Sequence, residues 1–355
     1  METRRETTGF GFHRGIACLA GKAATLGPGP ECGASAGFRV YKAPPKVYLR
    51  DGDVNCGKYA MLEEMNAGDI AALLPPRPDD GHKGTFGHLF VLAGSRGFTG
   101  AARLVCESAY RSGVGLVTLG VPKPLADIFA VSLRETMTLV LPATEAESFA
   151  HAGLAHALAF ARGKDAVALG PGLSLHPETA QFAREMAAKC PAPMVLDADG
   201  LNALVIEGAF EGFGRGGPAG PRVFTPHPGE MARLTGLAAA DIHYARADTA
   251  VAAAAAWDGV VVLKGHGTIV AAPDGRAACC PTGGPGLAKG GSGDVLTGII
   301  GSLLAQGVDA FDAACVGVYA HGLAGDIAAL RMTSRGMAAG DVIDALPAAW
   351  HELEG

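Results

Sequence analysis

A glycine-rich segment that ends in a carboxylate offers the clearest chemistry in this chain. The segment Lys289–Asp294 reads Lys-Gly-Gly-Ser-Gly-Asp and leads directly into an apolar helical pattern. Backbone N–H groups at such a helix start face one point, where the helix dipole adds partial positive charge, so they are suited to bind an anion. The predicted anion-binding residues, called the glycine loop below, are Gly290, Gly291, Ser292 and Gly293. Asp294 beside them could take a proton from a hydroxyl group during phosphoryl transfer. Alone, the segment also fits a turn whose aspartate caps the helix.

A second candidate is the lysine that follows the apolar run Val260–Leu263. Lys264 is followed by Gly265, His266, Gly267 and Thr268. A lysine at the end of a buried strand requires an anion, and a nucleotide phosphate is a suitable one. A solvent-facing lysine in a hairpin turn is the alternative.

Two further segments place polar side chains after apolar runs. Asp197, in Asp-Ala-Asp-Gly-Leu-Asn, could position a metal–phosphate group or ligand hydroxyls, whereas Asp199 is interpreted as a helix cap. His227 lies between two prolines, which constrain its backbone, so a ligand-binding role is favoured over a purely structural histidine. Glu230 is expected in the first turn of the next helix.

Glycine-rich turns with small neighbours make up the remaining candidates. The segment Gly94–Gly100 precedes Ala101 and Ala102, and Gly170-Pro171-Gly172 follows another apolar run. Either turn permits a close ligand approach, but each is also compatible with a plain tight turn.

The elements that must position these residues alternate between strands and helices. The predicted strands are Leu89–Ala93, Leu116–Val121, Thr138–Leu141, Ala166–Leu169, Met194–Asp197, Val223–Thr225, Val260–Leu263 and Thr268–Ala271. The predicted helices include Met61–Leu74, Gly100–Ser112, Pro177–Lys189 and Ala239–Trp257, and the chain after Gly293 is predicted to be almost wholly helical. This order predicts an α/β fold with a central, mostly parallel sheet and helices on both faces. Because ligands bind at the carboxyl ends of such strands, the polar turns are expected to form one cleft.

Composition limits the class of protein. The 355 residues carry a formal net charge of −6, which argues against nucleic-acid and membrane-surface partners. The 8 cysteines show no metal-binding spacing and are interpreted as reduced thiols of a cytoplasmic protein. We find no run of about 18 apolar residues, so no membrane span is predicted. Residues 1–59 lack a sustained pattern and are predicted to form an irregular extension to a domain over residues 60–355.

The order of the motifs resembles one family over about residues 60–354. The matching segments are His82–Ser95, Gly100–Pro122, Ala168–Leu173, Val195–Leu204, Thr225–Gly236, Val261–Gly275 and Pro281–Gly307. Together they resemble the ADP-dependent (S)-NAD(P)H-hydrate dehydratases, nicotinamide-nucleotide repair enzymes of the ribokinase-like superfamily.

The resemblance implies a ribokinase-like fold and a lyase that dehydrates the S epimer of hydrated NADH or NADPH (NADHX, NADPHX). It implies ADP as co-substrate, with ATP as an alternative, Mg²⁺ accompanying the nucleotide, and no dedicated metal site in the protein. Asp294 would act as base and contact the hydrate, and the nucleotide would be bound by Gly293 and by the residues from Lys264 to Thr268. The remaining implied hydrate-binding residues are Ala102, Gly172 and His227.

Further expectations concern partners and alternatives. The resemblance implies a homo-oligomer, with a tetramer as the expected form. Many relatives carry an epimerase domain before the dehydratase domain, and residues 1–59 are interpreted as a remnant of it. They are too short to form that domain, so no epimerase activity is expected and a separate epimerase would cooperate. The alternative is a kinase of the same fold that acts on a hydroxymethylpyrimidine or a hydroxyethylthiazole. A catalytically silent nucleotide-binding module is a third interpretation, which the intact Asp294 disfavours.

Overall fold

The computed structural model describes residues 62–205 and 219–355. The predicted extension over residues 1–59 lies outside the described residues. The strands of the described residues are β1 Leu62–Glu64, β2 His88–Leu92, β3 Leu116–Pro122, β4 Met137–Leu141, β5 Ala166–Leu169, β6 Met194–Leu196, β7 Arg222–Phe224, β8 Val260–Leu263, β9 Ile269–Ala271 and β10 Ala277–Cys279.

These strands form one sheet in the order β1-β10-β9-β8-β7-β6-β5-β2-β3-β4. Within the described residues, only β9 runs antiparallel to its neighbours, β8 and β10. The strands β8, β7, β6, β5 and β2 are adjacent and parallel, so their carboxyl ends lie along the same edge. The predicted mostly parallel sheet is confirmed.

The α-helices of the described residues are α1 Ala67–Ala72, α2 Thr99–Arg111, α3 Ala126–Ser132, α4 Leu154–Ala161, α5 Pro177–Lys189, α6 Asp199–Val205, α7 Pro228–Thr235, α8 Ala239–Tyr244, α9 Arg246–Trp257, α10 Ser292–Ala305, α11 Ala310–Gly336 and α12 Ala339–Glu354. The predicted helices over Gly100–Ser112 and Pro177–Lys189 correspond closely to α2 and α5. The predicted helical C-terminal part is also confirmed.

Helices cover both faces of the sheet. Successive side chains of a strand point to opposite sides, and here those on both sides are apolar and must be buried. In β2, Leu89 and Val91 join a core cluster that contains the apolar side chains of α2, α10 and α12. The intervening Phe90 and Leu92 join a second cluster, which contains α5 and α9. Strands buried on both faces explain the continuous apolar runs from which they were predicted.

Two predicted helices are wrong in their extent. The segment predicted as helix Met61–Leu74 contains the edge strand β1 and the short helix α1, which begins after Asn66 caps it by accepting the N–H of Asp69. The predicted helix Ala239–Trp257 is split into α8 and α9 at Ala245, whose φ of −125° and ψ of 48° are not helical. The strands β1 and β10 carry too few branched residues to have been predicted.

Helix α11 is long and apolar enough to cross a membrane by length and composition alone. Its most apolar stretch has a mean hydropathy of 1.4, but 67% of that stretch is buried inside the fold. The helix packs against α10 and α12, and its buried side chains belong to the core. Within the described residues, α11 is therefore a core helix.

Candidate active site

Five polar segments lie next to one another along the carboxyl edge of the sheet. Hydrogen bonds join neighbouring turns: the Gly94 N–H donates to the Pro171 carbonyl over 2.8 Å, and the Lys264 N–H to the Pro226 carbonyl over 2.9 Å. The Asp197 N–H donates to the Leu169 carbonyl over 3.1 Å. The turns that the sequence predicted to share one cleft are thus held together.

One glycine of this edge is required by a close approach of two turns. Gly170 has a φ of +134°, and a Cβ atom there would lie 1.8 Å from the carbonyl oxygen of Asp197. Any other residue would push the turn after β6 away from the turn after β5. Gly170 therefore allows the turns after β5 and β6 to lie this close together.

The glycine loop forms the start of α10, as predicted. Gly291 is the N-cap with a φ of +92°, and Ser292 and Gly293 are the first two residues of the helix. The Lys289 ammonium, just before the loop, donates to the carbonyls of Arg335 and Met337. The junction of α11 and α12 therefore holds the loop in place, with the N-terminus of α10 at the carboxyl edge of the sheet.

Asp294 is in the first turn of α10 and largely buried. Burial, together with the negative charges of nearby Asp197 and Asp199, raises its pKa to about 7, and Lys264 opposes this rise. A pKa near neutrality suits a general base, because the group is both deprotonated in a useful fraction and basic enough to take a proton.

Lys264 forms an ion pair with a carboxylate of the protein. Its Nζ lies 2.5 Å from Oδ1 of Asp197 and 3.9 Å from Oε2 of Glu230. Burial alone would lower the pKa of Lys264, but these two carboxylates raise it above its ordinary value. The sequence interpretation treated this lysine as unpaired, whereas in this structure its anionic partner is Asp197, and its contact with a nucleotide phosphate stays a prediction. The alternative of a solvent-facing lysine is wrong.

Asp197 also joins β6 to α10. Its Oδ2 accepts a hydrogen bond of 2.9 Å from the Thr297 hydroxyl, which itself lies 3.1 Å from the Gly293 carbonyl. Asp199, which was expected to cap a helix, is the first residue of α6, and its Oδ2 accepts the Ser174 N–H over 2.9 Å. The two aspartates of this turn thus have different partners.

The turn that follows Lys264 is fixed by an arginine from the start of α9. The Arg246 guanidinium donates to the carbonyls of Leu263, Lys264 and Gly267 over 3.0–3.4 Å. The Thr268 hydroxyl donates to the Gly265 carbonyl over 2.9 Å. His266 at the tip is exposed. The break between α8 and α9 places Arg246 where these carbonyls can be reached.

His227 caps α7. Its Nδ1 accepts the N–H groups of Gly229 and Glu230, and the Glu230 carboxylate accepts the His227 N–H over 2.8 Å. Because Nδ1 is an acceptor, Nε2 carries the ring proton, 3.4 Å from the other oxygen of Glu230. The His227 side chain remains 49% exposed, so its ring is accessible to solvent. Glu230 is in the first turn of α7, as expected.

The expected hydrate-binding residues of the glycine-rich turns differ in exposure. Gly172 accepts the Ser95 hydroxyl through its carbonyl over 2.8 Å and lies beside Phe98. Ala102 is fully buried and packs beneath Gly94. In this structure Ala102 supports the turn and offers no surface to a ligand.

Sequence reasoning missed several residues of the site. Thr297 lies one helical turn after Gly293, and this spacing could have indicated it. His321 of α11 is buried near Ser292, and burial lowers its pKa to about 4, so the ring is neutral at neutral pH. Arg246 and His321 are distant in sequence from the segments that they contact, and no local pattern indicates that they belong to the site.

The described residues contain no cluster of three side chains suited to hold a metal ion. Both oxygens of Asp197 are occupied, one by Lys264 and one by Thr297. An Mg²⁺ ion that accompanies a nucleotide takes most of its ligands from phosphate oxygens and water, so it does not require such a cluster.

The comparisons with known proteins agree with this geometry. A family model described as NAD(P)H-hydrate dehydratase matches residues 89–348. The bifunctional NAD(P)H-hydrate repair enzyme Nnr of Moorella thermoacetica is 44% identical over 281 residues, which are 79% of this chain and 52% of that protein. The ADP-dependent (S)-NAD(P)H-hydrate dehydratase of Neisseria meningitidis serogroup B is 38% identical over 74% of this chain and 83% of its own length.

A solved structure shows the same similarity. The ADP/ATP-dependent NAD(P)H-hydrate dehydratase of Bacillus subtilis, co-crystallized with ATP/Mg²⁺, superposes with a TM-score of 0.70 at 32% identity. The match covers 82% of this chain and 99% of that one. By contrast, the chain spans about half the length of the bifunctional repair enzyme of Moorella thermoacetica.

Proposed function

Because the chain belongs to the NAD(P)H-hydrate dehydratase family, we propose that it is a nicotinamide-nucleotide repair enzyme. It dehydrates the S epimer of NADHX or NADPHX to NADH or NADPH and converts ADP to AMP and phosphate. The observation that carries this proposal is Asp294, whose pKa is raised to about 7 at the start of α10, beside the glycine loop and Lys264.

The proposed reaction has two steps. Asp294 takes the proton of the C6 hydroxyl, whose oxygen forms a bond to the terminal phosphorus of ADP while the bond from that phosphorus to AMP breaks. The bond between C6 and the phosphate oxygen then breaks with its electron pair going to the phosphate, and the C5 proton passes to water, so that the C5–H electron pair forms the ring double bond. Phosphate is a much better leaving group than hydroxide.

The protein supplies positioning and charge for the first step. The N–H groups of the glycine loop and the Lys264 ammonium stabilise the charge on the transferring phosphoryl group. Mg²⁺ bound with the nucleotide would neutralise part of the phosphate charge. His227 and Gly172 are proposed to bind the hydrate, and Gly265–Thr268 together with Gly293 to bind the nucleotide.

Activity is expected to depend on the protonation of Asp294. Its pKa is raised to about 7, so the base is protonated and inactive below neutrality. We expect kcat/KM to rise with pH and to level off above about pH 7–8. Initial rates in buffers of constant ionic strength test this expectation, and a rate that is constant between pH 5 and pH 8 would contradict a catalytic role for this carboxyl.

The proposed function is tested by supplying purified S and R hydrates separately, with ADP or ATP, and following the absorbance of reduced nicotinamide. We expect recovery of NADH from the S epimer only in the presence of a nucleotide, with AMP formed from ADP in equal amount. Phosphorylation of hydroxymethylpyrimidine or hydroxyethylthiazole, without turnover of either hydrate, would instead assign the kinase function.

The remaining expectations stay proposals. We place residues 60–355 in one dehydratase domain in the cytoplasm. We propose a homo-oligomer, expected to be a tetramer, to which the exposed apolar side chains of Val131 and Leu330, both 88% exposed, could contribute contacts. Because a relative is named as a bifunctional repair enzyme, we propose that a separate epimerase supplies the S hydrate.

A further inference from the structure

A buried aspartate connects the strand edge to the helix of the glycine loop. Asp197 is 1% exposed, and its two oxygens have different partners. Oδ1 lies 2.5 Å from Lys264 Nζ, and Oδ2 accepts the Thr297 hydroxyl over 2.9 Å. The carboxylate is therefore held between β8 and α10 by side-chain hydrogen bonds to Lys264 and Thr297, and it acts on Asp294 through its charge, which raises the pKa of that group.

This arrangement places the lysine ammonium against the first turn of α10. A Cβ atom on Gly293 would lie 3.4 Å from Lys264 Nζ and 3.4 Å from Asp197 Oδ2. Gly293 is the residue proposed to hold the transferring phosphoryl group. The ammonium is thus fixed beside the position that the phosphoryl group would occupy.

The negative charge of Asp197 is expected to oppose the binding of a nucleotide phosphate, because like charges repel. It adds to the negative charges of Glu230 and Asp294 at a site proposed to bind a polyphosphate, in a chain with a formal net charge of −6. A buried ion pair of this kind is also weak evidence for a role in stability, because well-packed apolar residues in place of the pair often stabilise a fold equally well. A geometric role for the pair fits both observations.

We propose that Asp197 is a positioning residue, which fixes Lys264 Nζ against Gly293 for phosphoryl transfer at the expense of nucleotide affinity. This inference rests on the proposed function. It requires that removing the charge of Asp197 separates nucleotide binding from turnover. Binding should be retained or strengthened, while turnover falls.

The test is Asp197→Asn, compared with Asp199→Asn as the matched control. Both variants remove one negative charge from the same turn, but Asp199 contacts Ser174 and not Lys264. For Asp197→Asn we expect kcat to fall about a hundredfold, as a displacement of about 1 Å can cause. We expect its Kd for ADP, measured by calorimetry without Mg²⁺, to be unchanged or lower. Both variants also lose a charge that raises the pKa of Asp294, so kcat is compared above about pH 8, where this base is deprotonated in all three proteins. There the Asp199→Asn variant should keep its Kd for ADP within about threefold of the wild type and lose much less kcat than Asp197→Asn.

A second pair of variants covers the case in which Asp197→Asn does not fold. Thr297→Val removes the hydroxyl that holds Oδ2 and should lower kcat about tenfold without weakening ADP binding, whereas Thr297→Ser should restore the wild-type rate. A loss of kcat in Thr297→Ser equal to that in Thr297→Val would overturn the proposal.

Other outcomes also overturn it. If Asp197→Asn weakens the binding of ADP in the absence of Mg²⁺, the residue supports the nucleotide site as a whole. If it weakens Mg²⁺–ADP but not ADP, Asp197 holds the metal ion and not the lysine.

Labelling Lys264 with an amine-reactive reagent, read by mass spectrometry, separates this inference from the proposed function. Labelling should increase in Asp197→Asn and stay unchanged in Asp199→Asn, whether or not any hydrate is turned over. Failure of the wild type on both hydrates would reject the proposed function, while unchanged labelling would reject the inference.

Discussion

Replacing Asp294 by asparagine is expected to lower kcat about a thousandfold, the loss typical for a missing general base. Asparagine has nearly the same shape but cannot accept the proton of the C6 hydroxyl. The Kd for ADP should stay within a few-fold of the wild type, since the glycine loop and Lys264 are retained. Steady-state rates with the S hydrate and calorimetry with ADP measure the two effects.

The same variant should be more stable than the wild type at neutral and higher pH. The pKa of Asp294 is raised from its ordinary value of 3.8 to about 7 by burial and by Asp197, so the folded state holds a proton that the unfolded state has lost. Stability of the wild type therefore falls as the pH rises between these two values. Asparagine removes this penalty, so we expect a gain of about 1–2 kcal/mol at pH 8 and no gain near pH 4. Loss of both ADP binding and stability would instead make Asp294 a structural residue.

Replacing Lys264 by methionine is expected to affect folding and binding together. Methionine has a similar length but leaves the buried carboxylates of Asp197 and Glu230 without their cation. Breaking a buried ion pair on one side costs about 3–5 kcal/mol, so the free energy of unfolding should fall by that order. The Kd for ADP should rise at least about tenfold, because a phosphate loses its ammonium partner.

Urea denaturation and calorimetry measure these two effects, with Lys289→Met as the control. Lys289 is also near the glycine loop, but it donates to backbone carbonyls of the junction between α11 and α12 and has no buried carboxylate partner in the described residues. We expect a smaller loss of stability for that variant. An unchanged free energy of unfolding in Lys264→Met would contradict the buried ion pair described here.

Local patterns were sufficient for the central strands and for the order of the polar turns. Runs such as Val260–Leu263 are buried on both faces, so their apolar character and flanking turns identify them. The glycine loop was identified because its residues, the helix that follows and Asp294 are adjacent in sequence. The chemistry of that segment depends on short-range geometry, which the sequence determines by itself.

Local patterns failed where short elements depend on their neighbours. The strand β1 has three residues and is held by its pairing with β10, which is more than 200 residues away in the chain. Isolated segments of this length have almost no intrinsic preference for the strand conformation, so the strand with which they pair decides their conformation. The break between α8 and α9 is likewise associated with Arg246, whose carbonyl partners lie at the end of β8.

The sequence alone determined the α/β class, the turns that carry polar residues and the identity of the proposed base. Only the tertiary structure decided that Lys264 pairs with Asp197, that Thr297 completes this carboxylate's contacts, that His227 caps a helix and that Ala102 is buried. These contacts join residues of different strands and helices, such as β8 with β6 and β6 with α10. Sheet order and packing, not local preference, set the distances between them, so they emerge only once the chain has folded.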